Sequence, residues 1–221
     1  MDIKVDANTV VCFDLDDTLY NEIDYLKSAY RQIAMTLAKE NWKILYGKMF
    51  SLYRSKKDVF TYLINVYPTT SKEILLNDYR NHVPSINLFP GVRSIFDKIK
   101  KQGGKLAIIT DGRSETQRNK LHSLGIMPVL DKVVISGEIG TEKPNEANFK
   151  VIEAAFKNHT YYYIGDNFKK DFLAPNKRNW ISMGLLDNGR NIHNNTFDYS
   201  ETEGAPQKLI ISYGELNIVP F

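Results

Sequence analysis

One cysteine in 221 residues leaves no partner for an intramolecular disulfide, so the chain is not a stapled scaffold of the kind that oxidising compartments favour. That residue, Cys12, lies in the apolar run Val10-Val11-Cys12-Phe13 and reads as a buried, inert thiol. Long apolar stretches are missing as well, and nothing approaches the roughly 20 residues that a bilayer-spanning helix needs. The opening MDIKVDANTV mixes charges with apolar residues, and Asp14 stops the first apolar run before it makes a signal-peptide core. Charge of one sign is scarce: 29 Lys and Arg against 26 Asp and Glu give a net charge of +3, too small an excess to draw nucleic acid or an anionic membrane. What is present, 43% hydrophobic and 25% charged residues, suits a folded chain long enough to bury a substantial core. A cytoplasmic protein is expected, with neither nucleic acid nor membrane as partner. The oligomeric state is not readable.

Short apolar runs at residues 9–13, 105–109, 132–135, 161–164 and 180–183 predict buried parallel strands. Helical patterns separate the later runs. One starts at Pro90-Gly91, carries Val92, Ile95, Phe96 and Ile99 on one face, and ends at Gly103-Gly104. A second runs from Ser114 to Gly125, and a third follows Pro144 with Phe149, Ile152 and Phe156. This alternation predicts an α/β fold with an open, Rossmann-like parallel sheet and helices on both faces. Residues 20–88 break the rhythm. Leu26, Tyr30, Ile33 and Leu37 form one helical stripe, and further helical pieces follow. That block reads as an α-helical cap of residues 20–88 inserted in a core of residues 1–19 and 89–221, with an all-helical packing layer as the plain alternative. The polar stretch 188–205 predicts a loop, and residues 209–212 a last edge strand.

The first strand runs into Asp14-Leu15-Asp16-Asp17-Thr18, which places carboxylates at the C-terminal end of a buried strand, where open α/β sheets bind ligands. In an Asp-x-Asp pair, one carboxylate can attack an electrophile while the other delivers a proton to the leaving group and later withdraws one from water. Such a site would repel a phosphorylated substrate without a divalent cation, and hard oxygen ligands suit Mg2+. Thr110-Asp111-Gly112 follows the second strand and offers a hydroxyl and turn N–H groups to phosphoryl oxygens. Lys143, before Pro144, supplies an ammonium. Gly165-Asp166-Asn167 and Asp171 bring carboxylates spaced to complete a metal site.

In this order these residues resemble the haloacid dehalogenase-like superfamily, whose four motifs match Asp14-x-Asp16-x-Thr18, Thr110, Lys143-Pro144, and Gly165-Asp166 with Asp171. The resemblance runs from Val10 to about Leu186. The helical block is similar to the small α-helical cap of phosphoglycolate-phosphatase-like members. The resemblance implies a phosphoric monoester hydrolase acting on a small phosphorylated metabolite. It gives Asp14 the role of nucleophile, carrying a transient aspartyl-phosphate, and Asp16 that of general acid and base. Asp14, Asp166 and the backbone carbonyl of Asp16 would ligate magnesium, with Asp171 holding metal-bound water or Lys143. Thr110, the backbone of Asp111, and Lys143 would grip the phosphoryl group. A phosphomutase on the same core and a catalytically silent binding protein are the alternatives.

Asp17 reads as a solvated or helix-capping acid, and Asp111 and Asn167 as ligand or turn former. Arg113 stands where many members have smaller residues; it is either an exposed helix-start residue or a grip on a second anionic group of the substrate. Tyr20, Lys27, Tyr30, Arg31 and Tyr53 are candidates for contacts from the cap. Four scattered histidines, His82, His122, His159 and His193, lack ligand spacing and receive no role.

Overall fold

The computed structural model describes residues 1–194 and 196–221. A short strand β1 (Asp2–Val5) and strand β2 (Thr9–Phe13) precede four consecutive helices: α1 (Glu22–Ala38), α2 (Trp42–Arg54), α3 (Val59–Val66) and α4 (Lys72–Asn81). Strand and helix then alternate through α5 (Val92–Lys101), β3 (Lys105–Thr110), α6 (Ser114–Ser123), β4 (Lys132–Ile135), α7 (Ser136–Ile139), α8 (Ala147–Ala155), β5 (Thr160–Gly165), α9 (Leu173–Lys177) and β6 (Ile181–Leu185). The strands β7 (Lys208–Ile210) and β8 (Asn217–Pro220) close the chain.

Six strands form one sheet in the order β4-β3-β2-β5-β6-β7, and every pairing is parallel. Such a sheet needs apolar cover on both faces, which is why its strands read as unbroken apolar runs. β2 shows the division residue by residue. Val11 and Phe13 join a cluster with Ile95, Phe96, Ile99 and Leu121, whereas Val10 and Cys12 face Phe149, Ile152, Phe172 and Trp180. Each such side chain contributes about 1.5–3 kcal/mol when fully buried. Burial pushes the Cys12 thiol far above its ordinary range, in keeping with an inert thiol.

Helices α1 to α4 enclose an apolar cluster of their own, in which Leu26, Tyr30 and Ile33 from the expected stripe meet Leu45, Met49, Leu63 and Leu75. Asp58 caps α3 by accepting from the Phe60 and Thr61 N–H groups, and Ser71 caps α4 by accepting from Ile74 N–H. The segment that links this block to the sheet is shared, because Tyr20, Tyr25 and Ile86 pack into the cluster around Phe13 and Phe96.

Three local features differ from the sequence reading. The last sheet strand is Lys208–Ile210, since Ile211 and Ser212 turn out to solvent beyond its pairing with β6. Trp180 precedes its strand and is buried below it. The N-terminal segment, unassigned by its pattern, pairs as β1 in parallel with β8 in a separate two-stranded sheet.

Candidate active site

The strand order sends the chain from β2 toward β3 on one side and leaves β5 on the other, so the C-terminal ends of these three strands converge on one crevice. Asp14 follows β2, Thr110 ends β3, and Asp166 follows β5. A cavity of about 120 Å³ opens there, lined by Asp14, Asp16, Asp17, Glu22, Thr110, Asp111, Lys143, Asp166, Asn167, Lys170, Asp171 and His193. Side chains as far apart in sequence as Asp14 and Lys143 thus become neighbours through sheet topology alone.

At its floor the Lys143 ammonium, itself buried, donates to Asp14 Oδ1 at 2.6 Å and to Asp171 Oδ1 at 2.7 Å. Its third contact is the Tyr163 hydroxyl at 3.3 Å. Burial opposes the charge, but Asp14 and Asp171 hold Lys143 well above its ordinary pKa. The other oxygen of Asp171 accepts from Asn167 N–H at 2.9 Å, so both its oxygens are engaged. The lysine loop is tied down from the other side, where Lys143 N–H donates to Asp111 Oδ1 at 3.0 Å. Lys170 pairs with Asp111 Oδ2 at 3.3 Å.

Asp166 accepts from the Thr18 hydroxyl at 2.9 Å and from Asn191 Nδ2 at 3.0 Å. One oxygen each from the buried Asp14, Asp166 and Asp171 lie within 4.8 Å of one another. Burial, and then the charge of Asp171, raise Asp14 to about 8 even against the Lys143 ammonium. Burial and the neighbouring Asp171 and Asp14 push Asp166 well above the carboxylate range. This is an acid cluster short of positive charge, and hard oxygen donors of this kind fit a magnesium ion.

Asp16 stands in a different environment. Its carboxylate accepts from Lys120 Nζ at 2.7 and 2.8 Å, from Gln117 Nε2 at 2.9 Å and from the Tyr20 hydroxyl. Burial raises its pKa, yet the Lys120 charge and these hydrogen bonds outweigh burial and hold it below the ordinary value. Gln117 also donates to the Thr110 hydroxyl oxygen at 2.6 Å, which leaves the Thr110 proton directed elsewhere. Asp17 is buried, not solvated. It caps α1 by accepting from Glu22 N–H at 2.7 Å and accepts from Ile192 N–H at 2.8 Å, and burial lifts it to about 6.

Asp14, Asp16, Thr110, Asp111, Lys143, Asp166 and Asp171 therefore meet in one cavity. Arg113 does not join them. It lines a separate surface cleft with Arg80, Asn77 and Glu73 of α4. The candidate contacts from the helical block also lie elsewhere. Tyr30 and Tyr53 pack in its apolar cluster, Lys27 lies over the Phe50 ring and Arg31 over Trp42, and Tyr20 reaches the site only through Asp16. The residue of that block which does line the cavity is Glu22, raised to about 8 by burial and the charge of Asp16. Gln117, Lys120, Glu22 and Asn191 escaped the sequence reading, since each lies outside the motifs on a helix or in a polar loop, and His193, which received no role from its spacing, lines the cavity.

Residues 11–183 match the family described as haloacid dehalogenase-like hydrolase. The chain belongs to this family. Among relatives, a glyceraldehyde 3-phosphate phosphatase of Methanocaldococcus jannaschii is 28% identical over 197 residues, 80% of this chain and 84% of that protein. A phosphoserine phosphatase of Thermus thermophilus is 32% identical over 104 residues, 44% of this chain and 42% of that protein. The crystal structure of a HAD phosphatase from Thermococcus onnurineus shares the family fold with a TM-score of 0.59 at 18% identity, covering 96% of this chain and 95% of that one. Family membership accounts for the parallel sheet and for the order of motifs along it. Among the described residues, no helix is long and apolar enough to cross a membrane.

Proposed function

We propose that this protein is a magnesium-dependent phosphatase that hydrolyses a small phosphorylated metabolite through an aspartyl-phosphate on Asp14. The observation that carries the reading is the floor of the cavity, where Asp14 lies between the Lys143 ammonium at 2.6 Å and the buried carboxylate of Asp166. A nucleophile there is shielded from bulk water and next to a cation that can bind the group it attacks, and a bound magnesium would displace its proton and leave it charged.

In the first step an Asp14 carboxylate oxygen attacks phosphorus, the bond to the leaving alkoxide breaks, and Asp16, once it has taken up a proton against the Lys120 ammonium that holds it ionised here, gives that proton to the leaving oxygen. In the second, water attacks the same phosphorus, Asp16 takes the water proton, and the bond to Asp14 breaks to release phosphate. Thr110, whose hydroxyl proton Gln117 leaves unengaged, and Lys143 bind phosphoryl oxygens in both steps. Magnesium held by Asp14, Asp166 and the Asp16 backbone carbonyl would offset the carboxylate charge and polarise the phosphoryl group. Asp171 and Asp111 act by fixing Lys143.

Residues 1–19 and 89–221 form the catalytic core in this reading, and residues 20–88 a cap that covers the cavity and excludes water during phosphoryl transfer. Placement of Glu22 on the cavity wall supports it. A cytoplasmic location fits the single buried thiol. The named relatives are phosphatases, which favours hydrolysis over the mutase alternative. The test is phosphate release from a panel of phosphorylated metabolites with magnesium and with excess chelator, beside an Asp14→Asn control. Activity should require the metal and should fall by roughly a thousandfold or more in the variant. Chelator-insensitive turnover, or an Asp14→Asn protein that stays active, would overturn the reading.

A further inference from the structure

Beyond β6, the polar stretch whose pattern predicts only a loop is tightly organised. Asp187 Oδ1 gathers successive backbone N–H groups, those of Gly189 at 2.7 Å, Arg190 at 3.2 Å and Asn191 at 3.1 Å. Gly189 turns the chain there with φ +83°, a conformation that suits glycine. The next N–H, of Ile192, donates to Asp17 Oδ2 at 2.8 Å, so the backbone is anchored on both sides of Asn191. The Asn191 side chain is thereby aimed at the site, where Nδ2 donates to Asp166 Oδ2 at 3.0 Å. At the other oxygen of that carboxylate, the Thr18 hydroxyl donates to Oδ1 at 2.9 Å.

We propose that Asn191 is a positioning residue for the metal: with Thr18 on the opposite oxygen, it fixes the plane of the Asp166 carboxylate and so sets how tightly the site takes magnesium relative to calcium. The inference rests on the phosphatase reading above, in which Asp166 is a metal ligand. The terminal torsion of an aspartate is broad and roughly two-fold. One hydrogen bond leaves such a carboxylate room to twist, and a second at its other oxygen removes that room. Magnesium demands near-ideal octahedral geometry at short distance, whereas calcium accepts a larger and more flexible set of oxygens, with carboxylates bound through one oxygen or both. A carboxylate held in one orientation thus serves the exacting ion more than the tolerant one. Partners of this kind, which orient a ligand without touching the metal, commonly decide its affinity.

The contrast between the two ions separates this role from a structural one. Melting temperature followed against the concentration of magnesium alone, and of calcium alone, at a single pH gives both affinities for the full chain without any turnover. In Asn191→Ala, magnesium binding should weaken by about tenfold or more, while calcium binding should weaken by no more than about threefold. Asn191→Leu keeps the bulk and lacks the donor; it should give the same split, and it decides the matter if the alanine variant does not fold. Asn188→Ala removes a different bond of the same loop, from Asn188 Nδ2 to Asn21 Oδ1 at 2.9 Å, and leaves Asp166 untouched. It should keep both affinities within about twofold. Unchanged magnesium affinity in the Asn191 variants, equal weakening of the two ions, or the same split in Asn188→Ala would overturn the assignment. If magnesium does not stabilise the unaltered protein at all, the magnesium-dependent reading fails instead, and the two failures are distinguishable.

Discussion

Gly165 ends β5 in a place where a side chain has no room. A Cβ built there would stand 2.5 Å from Asp171 Oδ2, well inside contact distance. That oxygen accepts from Asn167 N–H, and its neighbour holds Lys143. Gly165→Ala should therefore move Asp171 and loosen Lys143, reducing kcat by at least about tenfold with little change in the KM for substrates held mainly through their organic part. Steady-state kinetics on a variant shown to be folded by circular dichroism check this, and an unchanged kcat would mean that Lys143 does not depend on Asp171. The same contrast explains which residues were legible. Asp14, Asp16, Thr110 and Asp166 sit at or just beyond predicted strand ends, where chain pattern and chemistry coincide, and Lys143 and Asp171 lie in the segments that follow, beside Pro144 and after Gly165-Asp166. Lys120 and Gln117 sit on α6 among Arg118, Asn119 and other polar residues, and only the tertiary placement of α6 against Asp16 makes them buried. Arg113 illustrates the converse, since adjacency to a motif did not bring its side chain to the cavity.

At the scale of elements, the central strands could be read because both faces are buried, and a short apolar run without polar interruption between turn residues fits little besides a strand covered on both sides. β1 and β8 could not. Their pairing joins residues such as Ile3 and Ile218, from opposite ends of the chain, and β1 alternates exposed with buried residues over only four positions. A pattern that short matches too many structures. Its contribution is measurable: Ile3 is fully buried in the main cluster, so Ile3→Ala should cost about 2–5 kcal/mol of unfolding free energy. Ser71→Ala, which removes one cap of α4, should cost about 1 kcal/mol. Urea denaturation of both variants gives the comparison. Equal losses would mean that β1 adds little to the core. The α1 to α4 block was legible as helices from its stripes, but its partners were not, because periodicity gives the apolar face of a helix without saying what covers it.

For the whole molecule the acid cluster should make stability depend on pH and, in the proposed reading, on metal as well. Asp14 is raised from 3.8 to about 8, Glu22 from 4.5 to about 8 and Asp17 from 3.8 to about 6, burial leading in each case. Between about pH 4 and pH 8 the folded chain thus holds protons that the unfolded chain has released, and stability falls as pH rises wherever the native state binds more protons. In chelator, the melting temperature should decline from pH 5 to pH 8. Binding of magnesium at Asp14 and Asp166 would displace the protons on both, so its affinity should strengthen toward pH 8, by up to about tenfold per unit for each proton displaced. The metal should then stabilise the protein more at pH 8 than at pH 6, opposing the decline seen without it. Thermal melts at several pH values, with chelator and with magnesium, measure both slopes at once. A magnesium shift in melting temperature that is level from pH 6 to pH 8 would show that Asp14 is already ionised throughout that range, with Lys143 outweighing burial at the floor of the cavity.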